Sequence, residues 1–171
     1  MSGIDGLELR PGDIVLVRGH KLRSKLARFT MRLYWNHALL YWQNGRLLEL
    51  THRGVKHPVF METYARKSIV ILRAGELYGF LIRPMQDYSI HARFDWVKYV
   101  FQWTHIPFLR DMDRSHLWLM LCDEFIQEIY DKAGMRMYVR ELMRDSMTTD
   151  ETIRKNGFEK IYDWRDYEPK G

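Results

Sequence analysis

Cysteine is all but missing from this sequence of 171 residues: Cys122 is the only one. A solitary thiol excludes a disulfide framework and any zinc site that needs several cysteines. Nucleotide-cradling glycine loops are missing too, because neither GxGxxG nor a P-loop occurs. HExxH and calcium-loop spacings are also absent. Asp111-Met112-Asp113 with His116 gathers metal-ligand residue types, but without such a spacing the expectation is no metal and no cofactor. No stretch approaches the roughly 20 apolar residues that span a bilayer. The opening Met1 to Asp5 lacks the basic and then apolar pattern of a secretory leader. A cytoplasmic protein with no transmembrane segment is expected. No repeat, low-complexity run or linker divides the chain, and 46% hydrophobic residues suffice for one core. The expected organisation is one domain over 1–171, with a core over 9–134 and a helical or irregular extension over 135–171 packed on it.

What is present begins with charge. The formal net charge is +5, which favours encounters with anionic partners, and basic residues crowd between Arg18 and Arg32. A helix from Lys21 to Leu33 would put Leu22, Leu26, Phe29 and Leu33 on one face and Lys21, Lys25, Arg28 and Arg32 on a parallel stripe. That stripe is either a solvated face or a contact surface for lipid, nucleic acid or substrate.

Further on, Pro11-Gly12-Asp13 signals a turn and Ile14 to Val17 a buried strand. His37 to Trp42 and Leu47 to Thr51 flank Asn44-Gly45, the strongest hairpin signal in the chain. Ser68 to Arg73 reads as another strand, and Gly79 to Ile82 as a further short one, ended by Pro84. The aromatic stretch from Tyr88 to Phe108 has Phe94, Val97 and Phe101 at helical spacing, as are Trp96, Tyr99 and Trp103, which predicts a largely buried helix. Stacked nucleic acid is not expected there, since no nucleic-acid motif accompanies the rings. From Cys122 on, Phe125, Ile126, Ile129, Tyr130 and Ala133 share the cysteine's helix face, and Gly134 stops the helix.

A thiol at the start of a helix is chemically useful because unpaired N–H groups and the helix dipole favour its thiolate. A nucleophilic thiol needs an imidazole to accept its proton and a polar group to orient that imidazole. His37, at the opening of a strand, suits the base, and Glu49 the orienter. Two hairpin geometries separate here. A two-residue Asn44-Gly45 turn places Leu40 opposite Glu49 and puts His37 and Glu49 on opposite faces, favouring His52 instead. A three-residue Gln43-Asn44-Gly45 loop with a bulge at Gly45 pairs Leu39 with Glu49 and brings both onto one face. A second condition concerns the helix, which can begin at Cys122 or run from Ser115 through Leu117 to Leu121.

The succession Leu9 to Val15, Asn36-His37-Ala38-Leu39-Leu40-Tyr41, Leu47-Leu48-Glu49-Leu50 and Cys122-Asp123-Glu124-Phe125 resembles the circularly permuted papain-like branch of the NlpC-type hydrolases. It is similar as well to the lecithin:retinol acyltransferase group. The resemblance covers roughly Leu9 to Gly134. It implies an α+β papain-like fold, with a small antiparallel sheet packed on the cysteine's helix. It also implies a Cys122-His37-Glu49 triad in which the histidine precedes the cysteine. The function implied is hydrolysis of amide or ester bonds of a small-molecule, peptide or lipid acyl substrate through an acyl-enzyme. The alternatives are a non-catalytic basic binding protein on the same scaffold, or a lipid-directed acyltransferase or lipase. Asp123 departs from the family's small hydroxyl residue, and a carboxylate there opposes thiolate formation.

Overall fold

The computed structural model describes residues 4, 6–20, 25, 29, 33–64, 66–75, 78–97, 99, 119–144, 153, 154 and 157–167. The apolar run after the Pro11-Gly12 turn forms β1 (Ile14–Arg18), buried at every position but its last. Such a run, with no polar alternation, suits a strand covered on both faces. β1 indeed lies inside a six-stranded sheet, between β2 (His37–Gln43) and β5 (Ser68–Ala74), antiparallel to both. Outside β2 come β3 (Arg46–Thr51) and β4 (Gly54–Lys56), and outside β5 comes β8 (Phe158–Asp163). Each neighbouring pair in this sheet is antiparallel. A separate parallel pair joins β6 (Arg93–Phe94) to β7 (Leu119–Met120).

The sheet has a different cover on each face. Leu16, Leu40, Leu48 and Val70 pack towards α2 (Tyr78–His91) and α3 (Cys122–Lys132), meeting Leu81, Met85, Phe125 and Ile129. Val15, Leu39, Leu47 and Ile71 pack the other way, against Phe60 of α1 (Phe60–Thr63), Tyr64 and Tyr162. Each large side chain so buried contributes about 1.5–3 kcal/mol. Near the start of β1, Gly12 has φ +95°, and a Cβ there would lie 2.5 Å from Leu81 Cδ1. The absent side chain leaves room for Leu81, and beside it Tyr130 of α3 donates its hydroxyl to the Gly12 carbonyl, tying the helix to the sheet.

Several expectations are corrected. Gly79 to Ile82 is helical, not a strand, and Pro84 lies inside α2 instead of ending an element. The buried positions Leu81, Met85, Tyr88 and Ala92 recur at spacings of four, three and four, the helical face that a short window conceals. The aromatic stretch is not one buried helix: Phe94 is in β6, while Trp96 and Val97 are 51% and 48% exposed. Residues 101–118, with Asp111, Asp113 and His116, lie outside the described residues, so the grouping from which no metal site was expected does too. The extension after Gly134 is not only helical or irregular. It forms α4 (Val139–Arg144), packed on α3, and then supplies the edge strand β8. Of the basic stripe, Lys21, Arg28 and Arg32 lie outside the described residues; Lys25 and Phe29 are helical, and Phe29 is exposed and not on a buried face. Among the described residues no helix is long and apolar enough to cross a membrane.

Candidate active site

α3 starts at Cys122, with Leu121 extended at φ −92°, ψ 171° and β7 just before it. The run from Ser115 is thus not a continuous helix into Cys122, and the thiol stands in the first turn. Glu124 closes that turn, its carboxylate accepting the Leu121 N–H at 3.0 Å, while the Leu121 carbonyl accepts from Phe125 N at 2.8 Å. The first N–H groups of the helix, Cys122's among them, have no acceptor within it.

His37 is held by the residues before it. Tyr34 and Trp35 both donate their N–H groups to the Met143 carbonyl at the end of α4, at 2.9 and 3.0 Å. Asn36 donates its N–H to Val17 and accepts from Gly19 through its side chain. The strand therefore begins at a fixed point beside α3.

The β2–β3 hairpin combines parts of the two anticipated geometries. Asn44 and Gly45, at φ 53° and 73°, form a two-residue turn between Gln43 and Arg46, so the three-residue loop is not used. A bulge between Tyr41 and Gln43 then shifts the register to Tyr41↔Leu47 and Leu40↔Leu48. Continued by one residue, that register sets Leu39 opposite Glu49, the pairing that puts Glu49 and His37 on one face. The extra residue is Trp42, in the strand, and not Gly45.

His37 Nε2 donates to Glu49 Oε1 at 2.9 Å, with 22% and 17% of the two side chains exposed. Cys122 lines the same cavity as the ring and lies close enough to act on its charge. Glu49 takes Nε2, which leaves Nδ1 as the second ring nitrogen. Burial alone would lower the His37 pKa, but the hydrogen bonds and charges of Cys122 and Glu49 outweigh it and raise the value to about 10. Glu49 moves the other way. Burial pushes it up, but hydrogen bonds from His37 and Tyr64 and the charges of His37 and Lys67 hold its carboxyl below the usual range.

Asp123 is buried, not on a solvated face, and its carboxylate meets Arg140 Nε of α4 at 3.1 Å. The charge expected to oppose the thiolate is thus offset by a guanidinium. His52 is not a partner of His37; its ring packs 5.9 Å from Trp96. Two further histidines bond or pack elsewhere: His20 reaches the Ser68 hydroxyl at 2.8 Å, and His57 lies on Trp42. Asp13 closes its turn by accepting from Arg10 N, as its position after Pro-Gly suggests. Cys122, His37 and Glu49 share a cavity of about 490 Å³, also lined by Lys56, Trp96 and Met143. Sequence reasoning missed Tyr64 and Arg140. Neither carries a local signal, because each reaches the site only through the crossing of α1 or α4.

Replacing Glu49 with Gln removes the charged acceptor, so the His37 pKa should fall from about 10, which imidazole NMR titration would read. Folding raises the His37 pKa, so the charged ring stabilises the fold fully below about 6.5, and this is lost as pH rises through about 10. In thermal melts, Glu49→Gln should therefore lose less stability than wild type over that interval. An unmoved His37 midpoint would remove Glu49 from the ion pair.

No family model matches the sequence, and a search of curated proteins finds no match.

Proposed function

We propose that this protein is a cysteine-dependent hydrolase of amide or ester bonds on a permuted papain-like scaffold, with Cys122 as nucleophile, His37 as base and acid, and Glu49 as orienter. One observation carries the reading: His37 is hydrogen-bonded to Glu49 and faces one cavity with Cys122, the first residue of a helix, which lies close enough to act on the ring's charge. An imidazole in that position is what a thiol needs for activation.

In the reaction, His37 takes the thiol proton and the sulfur attacks the substrate carbonyl. A C–S bond forms and the carbonyl π pair moves to oxygen, where the N–H of Cys122 or a neighbouring amide of the α3 first turn stabilises it. As the oxyanion collapses, the bond to the amine or alcohol breaks, and His37 gives its proton to that leaving group. Water, deprotonated by His37, then attacks the thioester; the acid departs and the sulfur returns as thiolate. Glu49 keeps the ring in the tautomer that presents Nδ1 to the sulfur and stabilises the imidazolium.

Support for the permuted papain-like assignment is the order of the parts, histidine strand before cysteine helix, on an antiparallel sheet. Of the basic stripe behind the binding-protein alternative, Lys21, Arg28 and Arg32 lie outside the described residues. The test is mass-spectrometric capture of an acyl adduct on Cys122 from a pool of activated esters, peptides and acyl lipids. A mass increase on the Cys122 peptide, absent in Cys122→Ala, is expected. No adduct from any class would remove the hydrolase reading.

A further inference from the structure

The β6–β7 ribbon joins the cysteine to a group of aromatic rings. Its strands run parallel, with Phe94 opposite Met120, and Cys122 follows Met120 by two residues as Trp96 follows Phe94. Trp96 and Cys122 are thus brought to one end of the ribbon. Asp95 N donates to the Met120 carbonyl at 3.0 Å, which holds that register, and Tyr99 N donates to the Asp95 carbonyl at 3.0 Å in the helical turn that follows. The rings of Phe94, Trp96 and Tyr99 pack on one another, their centres 5.1, 5.4 and 5.9 Å apart. All three line the cavity that holds Cys122, His37 and Glu49. Trp96 is half exposed there, an apolar surface with nothing covering it.

Most polar side chains lining the cavity already have partners. Glu49 takes His37, Asp123 takes Arg140, Asn36 accepts the Gly19 N–H, and Thr51 donates to the Gly54 carbonyl. Lys56 differs: among the described residues its ammonium has no ion-pair or hydrogen-bond partner. It ends β4 directly opposite Glu49, whose carboxylate is bonded to His37 instead. The cavity therefore offers one unmatched positive charge beside an uncovered aromatic wall. Its volume, about 490 Å³, suits a small molecule.

We infer that the site selects an N-acylated amino acid: its apolar acyl chain lies on Phe94, Trp96 and Tyr99, and the carboxylate of its leaving amino acid is held by Lys56. This inference rests on the proposed hydrolase reading. Each end is assigned by what stands beside the reacting atoms. The acyl group stays on the sulfur, and the ribbon register sets the aromatic wall beside Cys122. The leaving amine takes its proton from His37, and Lys56 lies one strand beyond the Glu49 that holds that ring. The C–N bond breaks, the amino acid departs with that proton, and the oxygen of water ends in the released acid. One ammonium neutralises one carboxylate, whereas a phosphate, with a charge of about −2, would keep a surplus.

Cys122→Ala would bind without cleaving, so calorimetry on that variant of the full chain reads recognition alone. The probes are N-decanoylglycine and its neutral counterpart N-decanoylglycinamide, both below micelle-forming concentrations. The acid should bind about tenfold tighter than the amide at low salt, and the gap should narrow as salt rises. Adding Lys56→Gln should bring the acid down to the amide, whereas Lys56→Arg should keep the gap. Adding Trp96→Ala should weaken both ligands about tenfold and leave their ratio unchanged. Wild type should then release decanoate from the acid faster than from the amide. Equal affinities for the two probes, or a gap that survives Lys56→Gln, overturn the charged end of the inference. Affinities indifferent to Trp96→Ala overturn its apolar end. A Lys56-dependent gap with no decanoate released overturns the hydrolase reading and the leaving-group assignment together. Turnover of the amide as fast as the acid overturns the inference and leaves the hydrolase reading standing.

Discussion

Turnover of an activated acyl substrate is expected to fall about a thousandfold or more in His37→Ala, while iodoacetamide alkylation of Cys122 near pH 6 should slow by only about tenfold. The two numbers differ because the imidazole does different work in each reaction. Alkylation asks the imidazole only to accept the thiol proton, a single general-base contribution worth far less than a full catalytic cycle. Turnover asks more of His37, which must also protonate the leaving group and then deprotonate water. Cys122→Ser should be as inactive as Cys122→Ala, since the site is built around sulfur. Equal alkylation and equal turnover in wild type and His37→Ala would make Cys122 an ordinary packing residue.

How far this site can be read from sequence depends on the distance over which each contact is made. Phe125, Ile126, Ile129 and Tyr130 announce their helix because their burial follows a local period. Gly134, at φ +82°, stops it for an equally local reason. Asn44-Gly45 likewise declares its turn. The bulge at Trp42 is different: nothing in Tyr41-Trp42-Gln43 marks it, yet it decides whether Glu49 faces His37. The side-chain chemistry demanded a bulged register, and the strand supplied it at a position that turn residues do not reveal.

Residues farther apart were harder still. Arg140 offsets the Asp123 charge only because α4 folds back on α3. Tyr64 comes near enough to lower the Glu49 pKa only because the chain after Val59 folds onto the sheet face of Leu39 and Leu47. β8 pairs with β5 across more than eighty residues, and its Phe158-Glu159-Lys160 alternation is too short to separate from a helical segment. Composition indicates a core and periodicity indicates its nearest elements. Which charged groups meet across those elements is a property of packing.

Arg73→Ala should be the most destabilising single change outside the site, lowering stability by about 3–5 kcal/mol. For a chain of this size that corresponds to roughly 6–20 °C in a thermal melt. Arg73 grips Asp13 with two bonds, Nε to Oδ1 at 2.9 Å and Nη2 to Oδ2 at 2.7 Å, and Asp13 is only 2% exposed. Removing the guanidinium leaves that carboxylate in the fold with the Arg10 N–H as its remaining donor, at 2.8 Å. The loss is therefore the cost of a stranded charge, not the strength of a surface pair. Arg73→Lys keeps the charge without the two-pronged geometry and should lose less. Asp13→Asn combined with Arg73→Leu removes both charges, so it should be more stable than Arg73→Ala alone. A double variant as unstable as the sum of its single changes would show that the pair is not the source. Alkylation of Cys122 well below the melting temperature should be unchanged in all of these variants, because Asp13 and Arg73 border a different cleft from the one holding His37, Glu49 and Cys122. Stability and reactivity would then be separable in this fold, one set at the start of β1 and the other at the first turn of α3.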